Sequence, residues 1–172
     1  KLQEALKASE EMFRVSVENM IDPFGIYKAV RNESGLIIDF TVDYVNEAAC
    51  RANRMTREEQ IGRRLLEILP AHRETGLFDE YCRLVETGEP VVKDSIVYED
   101  YYRGEKLRRF FDIRASKLGD GFAASWRDVT QREKARERLR HAEQMEAVGR
   151  MAAMVAHDLR GPLNTISQAT NI

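Results

Sequence analysis

The spacing of apolar positions changes four times along the chain, and each change marks a switch between helix and strand. Over the first twenty residues Leu2, Leu6, Phe13 and Met20 fall on one stripe stepped by four and three residues, with Ser9 and Ser16 completing the series. Lys1, Glu4, Lys7, Glu10, Glu11 and Arg14 lie off that stripe. The spacing predicts an amphipathic helix with a coiled-coil-like seam; the plainer alternative is a lone helix packed on the neighbouring domain. From Asp22 the period shortens. Phe24 to Val30 is a brief apolar segment, Arg31 to Gly35 is turn chemistry, and Ile38, Phe40, Val42 and Tyr44 alternate with Asp39, Thr41 and Asp43. Alternation of this kind predicts a half-buried strand, and the two segments with their turn predict a hairpin.

Residues 46–87 predict several short helices. Thr56 and Glu59 have capping-box spacing, Gly62, Pro70 and Gly76 punctuate the stretch, and Leu77 to Glu86 reads as a longer helix stopped by Gly88 and Pro90. Three further strands are expected, over residues 91–98, 107–116 and 122–127, with turns at Tyr102–Glu105 and Lys117–Gly121. In the middle strand Leu107, Phe111, Ile113 and Ala115 share a face, with Arg109 the misfit; in the last, Phe122, Ala124 and Trp126 share one. After Asp128 glycine is sparse, no proline occurs before Pro162, and Arg132, Lys134, Arg136, Arg138 and Arg140 alternate with Glu133 and Glu137. This predicts one long helix.

Composition narrows the classes. A chain of 172 residues suits one domain plus extra helix rather than two full domains. With 43% hydrophobic residues it can bury a core, and its 33% charged residues fit long exposed helices. The 27 basic and 29 acidic residues leave a net charge of −2, which gives no reason to expect nucleic acid or an anionic membrane as partner. Cys50 and Cys82 are too few for a disulfide framework and read as reduced thiols, while His72, His141 and His157 share no metal-ligand spacing. The longest unbroken apolar run, Met151 to Ala156, falls far short of the roughly 20 residues a bilayer requires. No secretory leader pattern is visible. The expected setting is therefore cytoplasmic. A start at Lys1 and a stop at Ile172 inside a helical pattern suggest a piece of a longer protein, with room for a membrane span elsewhere in it.

Two strands, a run of short helices, a three-stranded meander and an exit helix together resemble a PAS domain. Tyr44-Val45-Asn46 resembles that family's strand-to-helix junction, Ile61-Gly62-Arg63 with Leu65, Leu66 and Pro70 its middle-helix signature, and Trp126-Arg127-Asp128-Val129-Thr130 its closing motif. The resemblance covers roughly Met20 to Thr130 and implies an α+β fold: a five-stranded antiparallel sheet with helices on one face, flanked here by N-terminal and long C-terminal coiled-coil helices. Asp128 and Thr130 are then the signal junction, since both can hold backbone donors where a strand turns into a helix. An ordinary N-cap would look the same. Flavin-binding members carry a reactive Cys just after the Ile-Gly-Arg element, where Arg64 and Leu65 stand here. Haem-binding members carry a His on the long helix, and Leu77 to Glu86 has none; His72, just before it, reads as a surface-loop residue. What remains is an unidentified small ligand, with Phe111, Ile113 and Trp126 lining its pocket, or a filled core in which those residues merely pack.

The string Ala156-His157-Asp158-Leu159-Arg160-Gly161-Pro162-Leu163, approached by Gln144 to Arg150, resembles the phosphoacceptor helix of sensor histidine kinases. On a helix turning about 100° per residue, Gln144, Val148, Met151, Leu159, Pro162 and Ile166 lie within about 40° of Val155, and His157 lies about 160° away. The apolar face would join a second chain in a parallel homodimer, leaving the imidazole toward water. By the resemblance, His157 is the phosphoacceptor. Asp158 is the hydrogen-bond acceptor or general base beside it, although taken alone it could be a solvated helix charge. Gly161 and Pro162 would bend the helix, because Pro162 cannot donate to the carbonyl of Asp158. The implied partners are a response regulator and an ATP-binding domain that supplies ATP and Mg; this stretch contains no such domain and should not phosphorylate itself unaided. Gly161 stands where phosphatase-active members carry Thr or Asn. The expected layout is residues 1–20 as the first helix, 21–130 as the PAS sensor, 131–144 as a signalling linker and 145–172 as the truncated first phosphoacceptor helix. The competing readings are a PAS dimerisation or ligand-binding module without phosphotransfer and, more remotely, a His-Asp metal phosphohydrolase or a DNA-binding protein.

Overall fold

A computed structural model describes the backbone of residues 1–102 and 105–169 and the side chains of residues 1–99 and 108–158. The alternating segments become five strands of one antiparallel sheet: β1 (Phe24–Arg31), β2 (Ile37–Val45), β3 (Val91–Tyr102), β4 (Glu105–Lys117) and β5 (Gly121–Asp128). Their order is β2-β1-β5-β4-β3, so the first and last strands of the chain meet at the centre. At Gly121 the strands approach so closely that a Cβ would sit 2.0 Å from the carbonyl oxygen of Tyr27. Glycine is what permits that pairing. β3 and β4 run beyond the expected ends because their pairing continues from Glu99↔Arg108 to Tyr102↔Glu105. That stretch carries charges and tyrosines rather than an apolar alternation, so periodicity alone does not mark it.

Between β2 and β3 lie α2 (Glu47–Asn53), α3 (Arg57–Gln60), α4 (Leu65–Ile68), α5 (Ala71–Glu74) and α6 (Leu77–Thr87). They cover one face of the sheet, and the core forms between. Phe40 and Phe122 are fully buried with ring centroids 4.9 Å apart, edge to face, and Phe122 stacks on Tyr81 of α6 at 4.3 Å. Burying an aromatic of this size contributes about 2–3 kcal/mol. The capping box forms: Thr56 Oγ1 accepts from the Glu59 N–H at 3.2 Å, and Glu59 accepts from the Thr56 N–H at 2.7 Å. Gly62 has φ +79°, the left-handed region. The turn lets its N–H reach the Val42 carbonyl at 2.8 Å while the Val42 N–H reaches Arg63 at 3.0 Å, and Leu65 enters the core three residues later.

Residues 1–130 form one compact unit and residues 131–172 a second. Within the first, α1 (Leu2–Glu18) buries Val17 and sets Phe13 against Phe24 and Tyr44, at 6.5 and 6.2 Å. The remaining apolar positions Leu2, Leu6, Met12 and Val15 stay exposed in the single chain. Beyond the compact unit, α7 (Thr130–Ala169) is helical over 40 residues. Among the described residues no helix is long and apolar enough to cross a membrane.

Candidate functional site

Among the described residues, three places gather the candidate groups: a cavity in the sheet-and-helix core, the junction from β5 into α7, and the exposed helix face around His157. The cavity, of about 70 Å³, lies within the first unit. One side is aromatic. Tyr27 of β1, Tyr81 of α6 and Tyr98 of β3 border it, with Phe111 of β4 and Trp126 of β5. Leu65, Leu69, Ala52 and Ala124 supply apolar wall, and Asn53, His72 and Arg109 supply polar groups. Burial raises the phenols of Tyr27 and Tyr81 well above the ordinary tyrosine range; for Tyr81 the neighbouring Tyr27 and Tyr98 add to it. Both therefore stay neutral.

The expected pocket residues divide. Phe111 and Trp126 line the cavity, whereas Ile113 does not: it is 5% exposed, inside the hydrophobic cluster two residues further along β4. His72 also departs from expectation. Rather than a surface-loop residue it belongs to α5, half-buried, with Nδ1 3.2 Å from the Tyr98 hydroxyl. Burial pushes its pKa down to about 4, so the ring is neutral near pH 7. Arg109, the misfit of its strand, lines the same cavity with its guanidinium 5.3 Å from the Phe111 ring centroid. That misfit and the strand alternation that picked out Phe111 and Trp126 were the sequence signals for this site; the three tyrosines come from separate elements and gave none.

The junction is tied to β4 as well as to its own helix. Asp128 Oδ1 accepts from the Thr130 N–H at 2.9 Å, the local cap expected of it. Thr130 Oγ1 reaches sideways and accepts from the Phe110 N–H at 2.9 Å, while the Val129 N–H donates to the Phe110 carbonyl at 2.8 Å. Phe110 stands between Arg109 and Phe111, both of which line the cavity. Arg127 completes the end of β5 with a bidentate pair to Asp22, at 2.8 and 2.6 Å.

A second set of ties gathers at the start of α2. Asn46, fully buried, accepts from the N–H groups of Phe24 and Ala49 at 3.0 and 2.9 Å and donates to the carbonyls of Val17 and Asp22 at 3.0 and 3.1 Å. Glu18 accepts from the Tyr44 hydroxyl and from Arg57, each at 2.6 Å, and from the Glu47 N–H at 3.1 Å. Burial pushes the Glu18 carboxyl up, but these donors outweigh it and hold the group below the usual carboxylate range.

On α7 the His157 side chain is 85% exposed and that of Asp158 71%, with Nδ1 and Oδ1 3.4 Å apart. Met145, Val148, Met151 and Val155 are exposed too. Exposure in one chain therefore does not separate the histidine from the apolar stripe; their angular separation does. The helical backbone continues through Gly161 and Pro162, and the bend expected there falls where side chains lie outside the described residues.

Comparison with known proteins places these features. A 63-residue segment, 37% of the chain, is 30% identical to Sporulation kinase E of Bacillus subtilis (strain 168) and spans 8% of that protein. Among solved structures, an RNA-binding light-oxygen-voltage receptor aligns with a TM-score of 0.52 at 16% identity, over 80% of this chain and 38% of that one. A LOV protein of Rhodobacter sphaeroides aligns at 0.50 and 11%, over 72% and 68%. Identities this low speak to the fold alone. The family model of the PAS fold matches residues 37–134, more than half of the chain, from β2 through the junction. The chain belongs to the PAS-fold family, as the sheet order, the helical cover and the junction motif together require.

Proposed function

We propose that the chain is the sensing and phosphoacceptor portion of a two-component sensor histidine kinase, with the cavity as its input site and His157 as its phosphate carrier. The observation that carries this reading is the pairing of His157 with Asp158 in the His-Asp-Leu-Arg-Gly-Pro-Leu string, opposite the apolar stripe of the helix that leaves the PAS junction. The kinship of one segment with a sporulation kinase supports it.

The chemistry follows from the imidazole. Its neutral form is a nucleophile through whichever nitrogen lacks the proton. Asp158 Oδ1 near Nδ1 favours the tautomer with the proton on Nδ1, which frees the Nε2 lone pair to attack the γ-phosphate of ATP. The N–P bond forms as the bond to the ADP oxygen breaks, and the Nδ1 proton can pass to Asp158. A response-regulator aspartate then takes the phosphoryl group. A shift of β4 on ligand entry would act on Val129 and Thr130 through the two hydrogen bonds to Phe110. In this reading the stripe of Met145, Val148, Met151 and Val155 seals against the same stripe of a second chain, parallel to the first, and the protein works in the cytoplasm.

The test supplies a histidine-kinase ATP-binding domain, labelled ATP and Mg to the purified chain. Wild type should take up acid-labile, alkali-stable phosphate and His157→Gln none. Label retained by the variant would overturn the assignment and leave a PAS regulatory module without phosphotransfer.

A further inference from the structure

Two donors and one acceptor at the border of the cavity still lack partners, and together they describe a ligand. Tyr27 and Tyr81 are 5% and 4% exposed, and among the described residues their hydroxyls make no hydrogen bond. A buried phenol ordinarily finds a partner. Burial keeps both protonated, so each presents a donor. Gly25 makes room for the first, because a Cβ there would sit 2.7 Å from the Tyr27 hydroxyl. Asn53 supplies the acceptor. Fully buried Gln60 donates to the carbonyls of Met55 and Thr56 at 3.0 and 3.3 Å, so its own oxygen accepts from Asn53 Nδ2 at 2.7 Å. That contact fixes which way the Asn53 amide is turned, and its Oδ1 makes no hydrogen bond among the described residues. The other polar lining groups are taken: His72 and Tyr98 bond to each other, and Arg109 is already engaged.

Size limits the choice further. The cavity, about 70 Å³, is half the roughly 150 Å³ of a cavity that takes up benzene, and it equals the liquid volume of about two waters. A six-membered ring is too large; a flat molecule of about four or five non-hydrogen atoms fits. From the two phenols, the Asn53 oxygen and the space between them, we infer that this cavity binds a small primary carboxamide, its carbonyl accepting from Tyr27 and Tyr81, its NH₂ donating to Asn53 and its alkyl end against Leu65, Phe111 and Trp126. A ketone of the same shape has nothing to give Asn53. A carboxylate also lacks that donor and brings a charge to groups that are neutral. Urea would set a second NH₂ against the apolar wall. This inference rests on the cavity being the input site, and binding is read without reference to His157.

The experiment titrates the purified chain near pH 7 with acetamide, acetone and acetate, which share one flat shape and differ in donor and charge. Trp126 is the single tryptophan and lines the cavity, so its indole N–H signal in nuclear magnetic resonance spectra reports entry directly. Acetamide should bind in the millimolar range, as so small a ligand must, and about fivefold more tightly than either of the others. Tyr81→Phe should weaken acetamide and acetone alike, about fivefold. Asn53→Ala should lower acetamide to the level of acetone and leave acetone unchanged, a split that general loosening of the fold would not produce. Both variants are checked for a cooperative melt, and the comparison of the three ligands on wild type decides the class whether or not a variant folds. Acetone or acetate binding as tightly as acetamide, or acetamide affinity indifferent to both variants, would overturn the carboxamide assignment while leaving the cavity as a binding site. No saturable shift with any of the three would overturn the assignment together with the input-site reading; the phosphorylation of His157 is decided separately.

Discussion

Asn46 and His72 show how single buried polar side chains set the properties of this domain. Asn46 joins the end of α1, the start of β1 and the first turn of α2 through four hydrogen bonds. Asn46→Ala would strand two buried N–H donors, each costing about 1–3 kcal/mol. A loss of about 3 kcal/mol is expected, read as a lower urea midpoint with an unchanged slope. His72 makes stability depend on pH. Its folded pKa of about 4 lies below the ordinary 6.5, so the unfolded chain takes up the proton first. Stability should be full above about pH 6.5 and decline toward pH 4. Glu18, held below its ordinary value of 4.5, contributes stability that is also lost as the pH falls, but in a lower window. His72→Gln should flatten the decline between pH 6.5 and 4 in urea melts, and an unchanged slope in the variant would mean that another group is responsible.

At the scale of elements, the junction between β5 and α7 is the feature with the most specific consequence. Thr130 spends its hydroxyl on Phe110 of β4 rather than on its own helix. Thr130→Val preserves shape and removes the acceptor, so it should cost about 1–2 kcal/mol, whereas Thr130→Ser should stay close to wild type. Asp128→Ala removes the local cap and should cost about 1 kcal/mol. Thermal melts of the three variants check these values. The elements themselves were largely legible in the sequence. Ile38 to Tyr44 announces β2 by strict alternation, and Thr56 with Glu59 announces α3 by a spacing that has one physical use. The sheet order was not: placing β5 beside β1 depends on the close approach at Gly121, which no local pattern signals, and the family resemblance implied five antiparallel strands without their order. Nor was the cavity. Tyr27, His72, Tyr81 and Tyr98 are separated by up to 71 positions and meet only after α5 and α6 pack on the sheet, while Ile113, chosen by alternation with Phe111, sits one pleat too deep.

For the whole molecule, the two exposed apolar stripes define what remains to be covered. Among the described residues, Leu2 and Leu6 of α1 and Met145, Val148, Met151 and Val155 of α7 are exposed large apolar side chains. A parallel homodimer through α7 predicts a sedimenting dimer at micromolar concentration. The double variant Val148→Glu, Val155→Glu should sediment as a monomer while its PAS unit melts as in wild type, and a wild-type monomer at all accessible concentrations would exclude the pairing. The proposed histidine chemistry is independent of that outcome in its site though not in its geometry, because the imidazole lies about 160° from Val155 around the helix. The most direct measurement is peptide-level mapping of the phosphate after incubation with a supplied ATP-binding domain, ATP and Mg, kept at neutral to alkaline pH throughout. The account predicts one N-linked phosphoryl group on the peptide containing His157. Phosphate on another residue, or an unmodified chain while the supplied domain phosphorylates a known phosphoacceptor helix, would contradict it.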